Sequence, residues 1–594
     1  MKTKKFLSMA ALALVGAMTV SCSSDDNITD QPQQPVNKNN VVTLTTTVGF
    51  ADDGTTRALA SGGVKTFAEG DQIAVIYKNT SDETIKTVST ISSGAGTKTA
   101  TFTVALTNPD NTKAIRYIYP AAMAKATIAT NATIDDDGTV DFTKLNSQTG
   151  SLTTLGNNLD LCTLDAANWT SGTLPNGNLA NKLAILAITL KNEAGTDDIT
   201  NGITSLSVGD GTNVYSISRS AAAGPIYVAI KPTTSATIGV NASDGAKRYY
   251  KELTTKTYAI SNGYSVSWKM KEGGAHLSAL TGDYTANNGE TLKGTLAKNV
   301  KVSIADGATV TLDGVTINGT NDWNCQWSGI TCLGDATIIL KDGTTNTVKG
   351  FHSNYPGIFV PGDKNNSSNN NTLIIQGTGS LNASSNGRGA GIGGVYNGAS
   401  CGNIVIANGN ITAVGGADAA GIGGAQWGTC GYITISGGTV NATGGDYAAG
   451  IGCPDDCSCG TITISGGTVI AQGGRDAAGI GSGFNGNSNC EGIIISDGTV
   501  TATGGDNGAG IGSGRIGSCG TITISGGTVT AAGSNDGAGI GSGNNGTCGD
   551  IEITADVTSV TATKGSNWAA SIGAGFNGSC GTVTIVDPSK VTQN

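Results

Sequence analysis

The sequence predicts an all-β protein in which an antiparallel β-sandwich region precedes a parallel β-helix. Two observations support this prediction. The last third of the chain repeats a block of about 29 residues seven times, and repeats of that length indicate a solenoid whose units pack only against their neighbours. Between residues 41 and about 270, longer alternating segments are separated by turn residues, which is typical of antiparallel strands.

Each repeat contains three short strands. The first points Ile462 and Ile464 to one side, the second does the same with Val469 and Ala471, and the third is an Ala-Gly-Ile-Gly segment such as that around Ile480. Coils stacked about 4.8 Å apart place like residues over one another. The expected fold is a right-handed parallel β-helix with three strands per coil.

A cysteine begins each repeat. These residues are Cys401, Cys430, Cys459, Cys490, Cys519, Cys548 and Cys580, at spacings of 29, 29, 31, 29, 29 and 32 residues. Side chains in a parallel stack point the same way, so we expect an inward column of small apolar groups rather than a row of disulfides. Cys453 and Cys457 are expected to form a disulfide at a loop tip, with zinc as the alternative, and Cys325 and Cys332 are expected to pair likewise.

The first 21 residues form a predicted targeting segment. Lysines precede the apolar run from Phe6 to Val20, which ends just before Cys22. This arrangement resembles a bacterial lipoprotein signal with Cys22 as the lipidated residue, although Thr19 stands where such signals favour Leu or Val. The acidic residues after Ser24 resemble the surface-export signal of Bacteroidetes lipoproteins. We expect a surface-exposed outer-membrane lipoprotein tethered by residues 22–40, touching the membrane only through its lipid. The alternative is an ordinary secretory signal.

The charge of the chain argues against a nucleic-acid partner. The formal net charge is −10, and the residues from 383 onward contain 13 acidic and 5 basic side chains. A protein that binds nucleic acid neutralises phosphates with a basic surface. The repeat region, which carries −8 of the −10, has the opposite sign.

Five segments of residues 41–270 together suggest a family. They are Thr56-Arg57-Ala58, FAEGDQIAVIY from Phe67, YIYP from Tyr117, LAILAITL and PIYVAIKP. In this order they resemble the fimbrillin-like family of Bacteroidales surface proteins. The resemblance implies two transthyretin-like sandwiches in tandem, here divided near residue 155, and a pilus subunit or related surface lipoprotein.

The same resemblance implies proteolytic maturation after an Arg near the first strand, a position that Arg57 matches. An unprocessed Arg in an exposed loop is the alternative. Polymerising members donate a terminal strand to a neighbour, whereas this chain continues into a bulky solenoid. A tip-type subunit or free-standing adhesin is therefore favoured over a shaft subunit, and other pilus subunits are candidate partners.

A second resemblance covers residues 275–594. The segments 309–317 and 337–347 are similar to the irregular first coils of a carbohydrate-binding β-helix family of bacterial surface proteins. These irregular coils extend to about residue 385, and the seven regular repeats follow them. The resemblance implies calcium and acidic plant polysaccharide as ligands.

Five aspartates lie four or five residues before the third-strand isoleucine of successive repeats: Asp418, Asp446, Asp476, Asp506 and Asp536. Carboxylates stacked one coil apart would repel one another, and Ca²⁺ would relieve that repulsion. The alternative is that each aspartate accepts backbone N–H groups in a glycine-rich turn. Calcium is the one candidate cofactor.

A second outward row follows the Ala-Gly-Ile-Gly segment and contains Tyr396, Trp427, Phe484, Arg515 and Phe576, with Trp323, Trp327, Tyr447 and Trp568 nearby. Exposed rings can stack on sugars, and arginine can pair with a uronate carboxylate. The row is therefore a candidate glycan-binding strip. The alternative is that the rings only cover a corner of the solenoid.

The sequence favours a cell-surface adhesin or pilus-tip subunit that binds polysaccharide or glycoconjugate. One alternative is a structural stalk or matrix protein with no soluble ligand. Another is an enzyme, because polysaccharide lyases use the same solenoid. Lyase sites need long irregular loops, whereas these loops are short, and the two histidines, His276 and His352, precede the repeats. We therefore expect no catalysis.

Overall fold

The computed structural model describes residues 40–50, 65–363, 370–398, 400–566 and 568–594. The expected signal segment, the tether up to residue 39, Cys22 and Arg57 lie outside these ranges. Strands dominate the described chain, which confirms the all-β fold class. Within the same ranges, no helix is both long enough and apolar enough to cross a bilayer.

The strands that precede the solenoid are β1 (Val41–Phe50), β2 (Gln72–Lys78), β3 (Thr84–Ser93), β4 (Thr99–Thr107), β5 (Ile115–Tyr119), β6 (Ser147–Gln148), β7 (Cys162–Ala166), β8 (Gly177–Asn181), β9 (Ala184–Lys191), β10 (Ser205–Gly209), β11 (Val214–Ser218), β12 (Ile226–Ile230), β13 (Thr233–Ser243), β14 (Arg248–Tyr258), β15 (Gly263–Lys269) and β16 (Lys271–Glu272). Two short helices, α1 (Asp136–Thr139) and α2 (Leu152–Asn158), lie between β5 and β7.

The first unit is a closed sheet with the order β1-β4-β3-β2-β5-β7-β8. It closes because β1 pairs with β4 along one edge and with β8, in parallel, along the other. The expected sandwich is therefore joined at both edges into a barrel. Since β7 and β8 return to it, this sheet extends to residue 181, beyond the expected division near residue 155.

The second unit has two sheets, β16-β14-β13-β10-β11-β6 and β12-β9-β15. Strand β6 belongs to this unit although β7 and β8, later in the chain, belong to the first, so the two units interlock. Strand β2 lies between their cores. Ile73 and Val75 face the first core, whereas Ala74 and Ile76 face the second. Burial on both faces explains why this strand is a continuous apolar run instead of an alternating one.

The solenoid strands are β17 (Gly274–His276), β18 (Tyr284–Ala286), β19 (Thr291–Thr295), β20 (Val302–Ile304), β21 (Ala308–Asn318), β22 (Ile330–Cys332), β23 (Ala336–Leu340), β24 (Thr345–Lys349), β25 (Ile358–Phe359), β26 (Thr372–Gly377), β27 (Ser380–Ser384), β28 (Ile392–Gly393), β29 (Asn403–Ile406), β30 (Asn410–Val414), β31 (Ile422–Gly423), β32 (Thr429–Cys430), β33 (Ile433–Ile435), β34 (Thr439–Thr443), β35 (Ile451–Gly452), β36 (Ser458–Cys459), β37 (Ile462–Gln472), β38 (Ile480–Gly481), β39 (Asn489–Thr503), β40 (Ile511–Gly512), β41 (Ser518–Ile524), β42 (Thr528–Ala532), β43 (Ile540–Gly541), β44 (Thr547–Cys548), β45 (Ile551–Ile553), β46 (Ser559–Thr563), β47 (Ile572–Gly573), β48 (Ser579–Cys580), β49 (Val583–Ile585) and β50 (Val591–Gln593).

Four parallel ladders run through the repeats, with like residues in register. Successive coils pair Ile433 with Ile462, Val440 with Val469, Ile451 with Ile480, and Cys430 with Cys459. The three predicted strands are confirmed, and the cysteine forms a fourth, two-residue ladder. One core of stacked aliphatic side chains extends from Ala275 to Ile572.

The glycine of each Ile-Gly pair is required by close stacking. Gly481, for example, has a φ of 132°, and a Cβ there would lie 1.9 Å from the carbonyl oxygen of Gly512 in the next coil. The corresponding glycines from Gly393 to Gly573 have φ values between 131° and 137°. Only glycine combines that backbone conformation with so near an approach of another chain.

The cysteine column is an inward stack, as predicted, but the expected disulfides are not formed. Cys453 and Cys457 lie in the solenoid core rather than at a loop tip, and both are free thiols. Cys325 and Cys332 are also buried and free. Burial raises the pKa of Cys332 to about 12, so its thiol is held in the unreactive protonated form.

The second unit and the solenoid are joined around a buried histidine. The backbone N–H of His276 donates to Asn241 Oδ1 at 2.7 Å, and its Nε2 lies 3.1 Å from Glu252 Oε2. The imidazole fits between Gly239 and Gly294, where an added Cβ would come within 2.1 Å and 2.3 Å of ring atoms. Burial lowers the pKa of His276, although the contact with Glu252 opposes that shift. The histidine is a structural part of this joint.

Candidate functional site

The turn after each Ile-Gly pair contains one residue in a left-handed conformation. The residue five positions after the isoleucine has a φ between 50° and 81° in every repeat: Asn397, Trp427, Asp456, Asn485, Ile516, Asn545 and Asn577. Asn tolerates this region, whereas a bulky or β-branched residue adopts it at a cost of about 1–2 kcal/mol. Trp427 and Ile516 nevertheless occupy it, with side chains 44% and 40% exposed.

Trp427 belongs to an aromatic cluster at the first repeats. Its ring lies 5.3 Å from the ring of Tyr396, centroid to centroid. The guanidinium carbon of Arg388 lies 4.8 Å from the Tyr396 centroid, and Arg388 Nη1 donates to the Tyr396 hydroxyl at 2.7 Å. Arg388 Nε is also 3.3 Å from Asp418 Oδ2. The cluster therefore presents two rings and a cation side by side.

A second cluster lies two coils further along the same corner. The rings of Tyr447 and Phe484 are 5.2 Å apart. Arg475 lies over Tyr447 at 4.4 Å, and Arg515 lies 5.7 Å from the Phe484 centroid. Arg515 Nη1 is 3.8 Å from Asp476 Oδ2, too far for a strong hydrogen bond. Cation–π contact holds both guanidinium groups at the surface beside the rings.

A third pair ends the row, where the rings of Trp568 and Phe576 are 6.0 Å apart. We call the whole set the corner strip: Arg388, Tyr396, Trp427, Tyr447, Arg475, Phe484, Arg515, Ile516, Trp568 and Phe576. Six coil-to-coil steps separate Tyr396 from Phe576, which makes the strip about 29 Å long. A surface of this length suits an extended ligand.

All five residues predicted for the glycan strip, Tyr396, Trp427, Phe484, Arg515 and Phe576, are among these residues. Of the other tryptophans considered, Trp323 packs edge-on against His352, with centroids 4.8 Å apart, and Trp327 contacts Phe351. These two belong to the irregular coils before the strip.

Sequence reasoning missed Arg388 and Arg475. They precede the Ile-Gly pair by four and five residues, whereas the predicted row follows it. The turn folds the two segments together, as the contacts of Arg388 with Tyr396 and of Arg475 with Tyr447 show. The positions of the arginines could have indicated these two residues, because every arginine after Arg248 lies in the strip.

The five aspartates do not form the expected stack. Asp418, Asp476 and Asp536 lie four residues before the isoleucine, whereas Asp446 and Asp506 lie five before it. Their neighbours in adjacent coils are therefore other residues. Asp418 contacts Arg388, Asp476 accepts from Asn507 Nδ2 at 2.7 Å, and Asp536 accepts from Ser566 Oγ at 2.9 Å.

Because their offsets differ, these carboxylates do not lie directly over one another in adjacent coils. Calcium binding by the five aspartates stays a prediction. Over the ranges that the structure describes, no group of three or more His, Cys, Asp or Glu side chains is placed to hold a metal ion. Asp418 contacts Arg388, whereas Asp476 and Asp536 accept hydrogen bonds from residues of the neighbouring turns.

One carboxylate pair lies between the first two clusters. Asp455 Oδ2 accepts from Gln426 Nε2 at 2.8 Å, and Asp456 Oδ1 accepts from Asn487 Nδ2 at 2.8 Å. Burial, and then the charge of Asp456, raise the pKa of Asp455, whereas the hydrogen bond from Asn487 chiefly lowers the pKa of Asp456. An anionic ligand that lies along the strip would therefore pass next to the carboxylates of Asp455 and Asp456.

Comparison with known proteins gives one family match and several structural neighbours. The Beta helix repeat family matches residues 404–426, 433–453, 462–484, 493–515 and 522–544. No curated protein matches the sequence. The family match agrees with the parallel solenoid observed in this region.

The structural neighbours include a candidate cell adhesion protein from Bacteroides uniformis, at 14% identity, 40% coverage of this chain, 98% of that chain and a TM-score of 0.23. A fimbrial assembly protein from Parabacteroides distasonis matches at 8% identity, with coverages of 38% and 91% and a TM-score of 0.24. Candidate polysaccharide-binding proteins from Bacteroides thetaiotaomicron match at 9% identity, with the same coverages and TM-score.

Proposed function

We propose that this protein is a cell-surface adhesin that binds an acidic polysaccharide along the corner strip of its β-helix. The observation that supports the proposal most strongly is the placement of Trp427 and Ile516. Large apolar side chains are exposed at backbone positions that disfavour them, while Asn occupies the same position in four of the seven repeats. A strained backbone position that keeps a bulky side chain, although Asn fits the same position in other repeats, indicates a functional requirement.

The chemistry of the strip fits sugar rings that carry negative charge. Exposed aromatic faces stack on the apolar faces of pyranose rings. Arg388, Arg475 and Arg515 lie beside those rings, and guanidinium groups bind carboxylate or sulfate oxygens in a bidentate manner. The repeat region as a whole carries a net charge of −8, so these arginines give a polyanion a line of positive charge along which it can approach the repeats.

The rest of the chain presents this surface away from the cell. We propose that Cys22 carries a lipid, that residues 22–40 act as a tether, and that the fimbrillin-like units form the base of a tip-type or free-standing adhesin. The joint around His276 supports this arrangement, because hydrogen bonds and close packing fix the solenoid to the second unit. The proposed role is binding without catalysis, since His276 is enclosed by this joint and His352 is buried beneath Trp323.

Binding to a polysaccharide panel tests the proposal. Trp427→Ala and Phe484→Ala should each weaken binding to polygalacturonate by about tenfold, the loss typical of removing an aromatic anchor. Arg475→Gln should weaken it selectively relative to neutral polysaccharides. Ile470→Ala is the matched control, because Ile470 is a similarly exposed apolar residue outside the strip.

Two outcomes would contradict the proposal. Equal binding by all four variants and the unsubstituted chain would place the ligand elsewhere. Absence of binding to every acidic and neutral polysaccharide of the panel would favour the stalk or matrix role. A rise in ultraviolet absorbance on incubation with polygalacturonate, from an unsaturated product, would instead identify a lyase.

A further inference from the structure

A groove of about 680 Å³ crosses the solenoid at the cysteine turn, and no residue of the corner strip lines it. It spans the coils that contain Asn403, Thr429, Ser458 and Asn489, which is about 14 Å at three coil-to-coil steps. Its volume is within the usual range of small-molecule sites. Glu491 stands at one end and Asp363 at the other.

Tyr432 is the aromatic residue of this groove, and its side chain is 43% exposed. The protein fixes its backbone, because Asn403 Oδ1 accepts from the Tyr432 N–H at 3.2 Å. Gly431 permits that contact, since a Cβ at this position would lie 2.1 Å from the same Asn403 oxygen. The exposed ring is therefore held on a rigid support.

Three polar side chains of the groove lining are available to a ligand. The side chains of Ser458, Asn489 and Glu491 make no hydrogen bond with any residue that the structure describes. Thr429 donates to Ser400 Oγ at 2.8 Å and keeps its acceptor lone pairs. Together these groups offer a hydroxyl, an amide and a carboxylate over adjacent coils, a set that can both donate to and accept from sugar hydroxyls.

The charge of the groove is opposite to that of the corner strip. Its lining contains the carboxylate of Glu491 and, among the residues that the structure describes, no lysine or arginine. A polyanionic sugar chain is repelled from such a surface, whereas the hydroxyls of a neutral sugar can donate charge-assisted hydrogen bonds to it.

We infer that this groove is a second carbohydrate site, which binds a neutral glycan segment with one ring stacked on Tyr432. The inference does not depend on the acidic ligand proposed for the strip. It assigns different sugar chemistry to two surfaces of the same solenoid.

Calorimetric titration of the full chain with neutral hexasaccharides (xylo-, manno- and galacto-linked) tests this inference, with hexagalacturonate as the acidic probe. We expect at least one neutral probe to bind, and Tyr432→Ala to weaken it by about tenfold. Glu491→Gln should also weaken it, through loss of charge-assisted hydrogen bonds, while hexagalacturonate binding stays unchanged in both variants. Ile494→Ala, at a similarly exposed residue outside the groove, should change neither.

The titrations distinguish failure of the groove inference from failure of the binding proposed for the corner strip. The inference is overturned if no neutral probe binds, or if Tyr432→Ala and Glu491→Gln bind the neutral probe as tightly as the unsubstituted chain. Loss of hexagalacturonate binding in Trp427→Ala, with neutral binding retained, supports separate sites. Loss of both ligands in Tyr432→Ala would indicate one shared site, provided that the melting temperature shows the variant to be folded.

Discussion

Substitution of Ile516 by Asn should cost less stability than the same substitution at Ile470. Both isoleucines are on the solenoid surface, 40% and 46% exposed. They differ in backbone conformation, because Ile516 has a φ of 61° whereas Ile470 lies within strand β37. The pair therefore isolates the cost of the left-handed position.

The magnitude follows from two terms. Either substitution removes the buried part of an isoleucine side chain, at a cost of about 1–2 kcal/mol when full burial contributes roughly 1.5–3 kcal/mol. At residue 516, relief of the left-handed strain offsets this by about 1–2 kcal/mol. At residue 470 there is no such relief, and the loss of β-propensity adds up to about 1 kcal/mol. Ile516→Asn should therefore be close to neutral and Ile470→Asn clearly destabilising.

Urea unfolding of the full chain, followed by circular dichroism at a wavelength that reports β-structure, gives the comparison as a difference between midpoints. The two variants share the same change in composition, so their difference is less sensitive to the unfolded state than either value alone. Equal destabilisation of the two variants, or a larger loss for Ile516→Asn, would refute the account of strain at the corner.

Three further predictions concern the solenoid and its joint. Gly481→Ala should destabilise the solenoid by about 3 kcal/mol or more, because the new Cβ would lie 1.9 Å from the Gly512 carbonyl oxygen. Gly486→Ala is the control and should be nearly neutral, since the space around Gly486 is open. Thermal unfolding of both variants gives the comparison. Burial lowers the pKa of His276 below its ordinary 6.5, so the unfolded chain takes up this proton first as the pH falls. The free energy of unfolding should therefore decrease below about pH 6.5, by at most about 1.4 kcal/mol per pH unit. His276→Gln should remove this pH dependence, which melting temperatures measured across the pH range would show. Iodoacetamide should leave Cys332 unmodified in the native chain and alkylate it only after denaturation, as peptide mass mapping would show; rapid native labelling would contradict its burial and its pKa of about 12.

Much of the solenoid could be predicted from sequence because its contacts repeat with a fixed period. Once Ile462 and Ile464 are assigned to the interior, every equivalent pair follows. The left-handed corner could also have been found, since Asn397, Asn485 and Asn545 share one offset from the isoleucine. The predicted aspartate stack is absent for a related reason, because offsets of four and five residues place these side chains in two different columns.

The remaining features depend on contacts that no local pattern encodes. The return of β7 and β8 to the first barrel is a non-local pairing, and an alternating segment does not specify its partner. The place of Arg388 beside Tyr396 depends on how the turn folds back across the Ile-Gly pair. The groove beside Tyr432 exists only because four coils stack and Glu491 interrupts a column that is otherwise glycine in the neighbouring repeats, at Gly431, Gly460 and Gly520.

The most direct test of the binding strip is a crystal structure of the chain with hexagalacturonate. The account predicts electron density for sugar rings along the corner between Trp427 and Phe484, with carboxylates within hydrogen-bond distance of Arg475 or Arg515. An ordered oligosaccharide bound to any other face, with the corner strip unoccupied at saturating ligand, would contradict it.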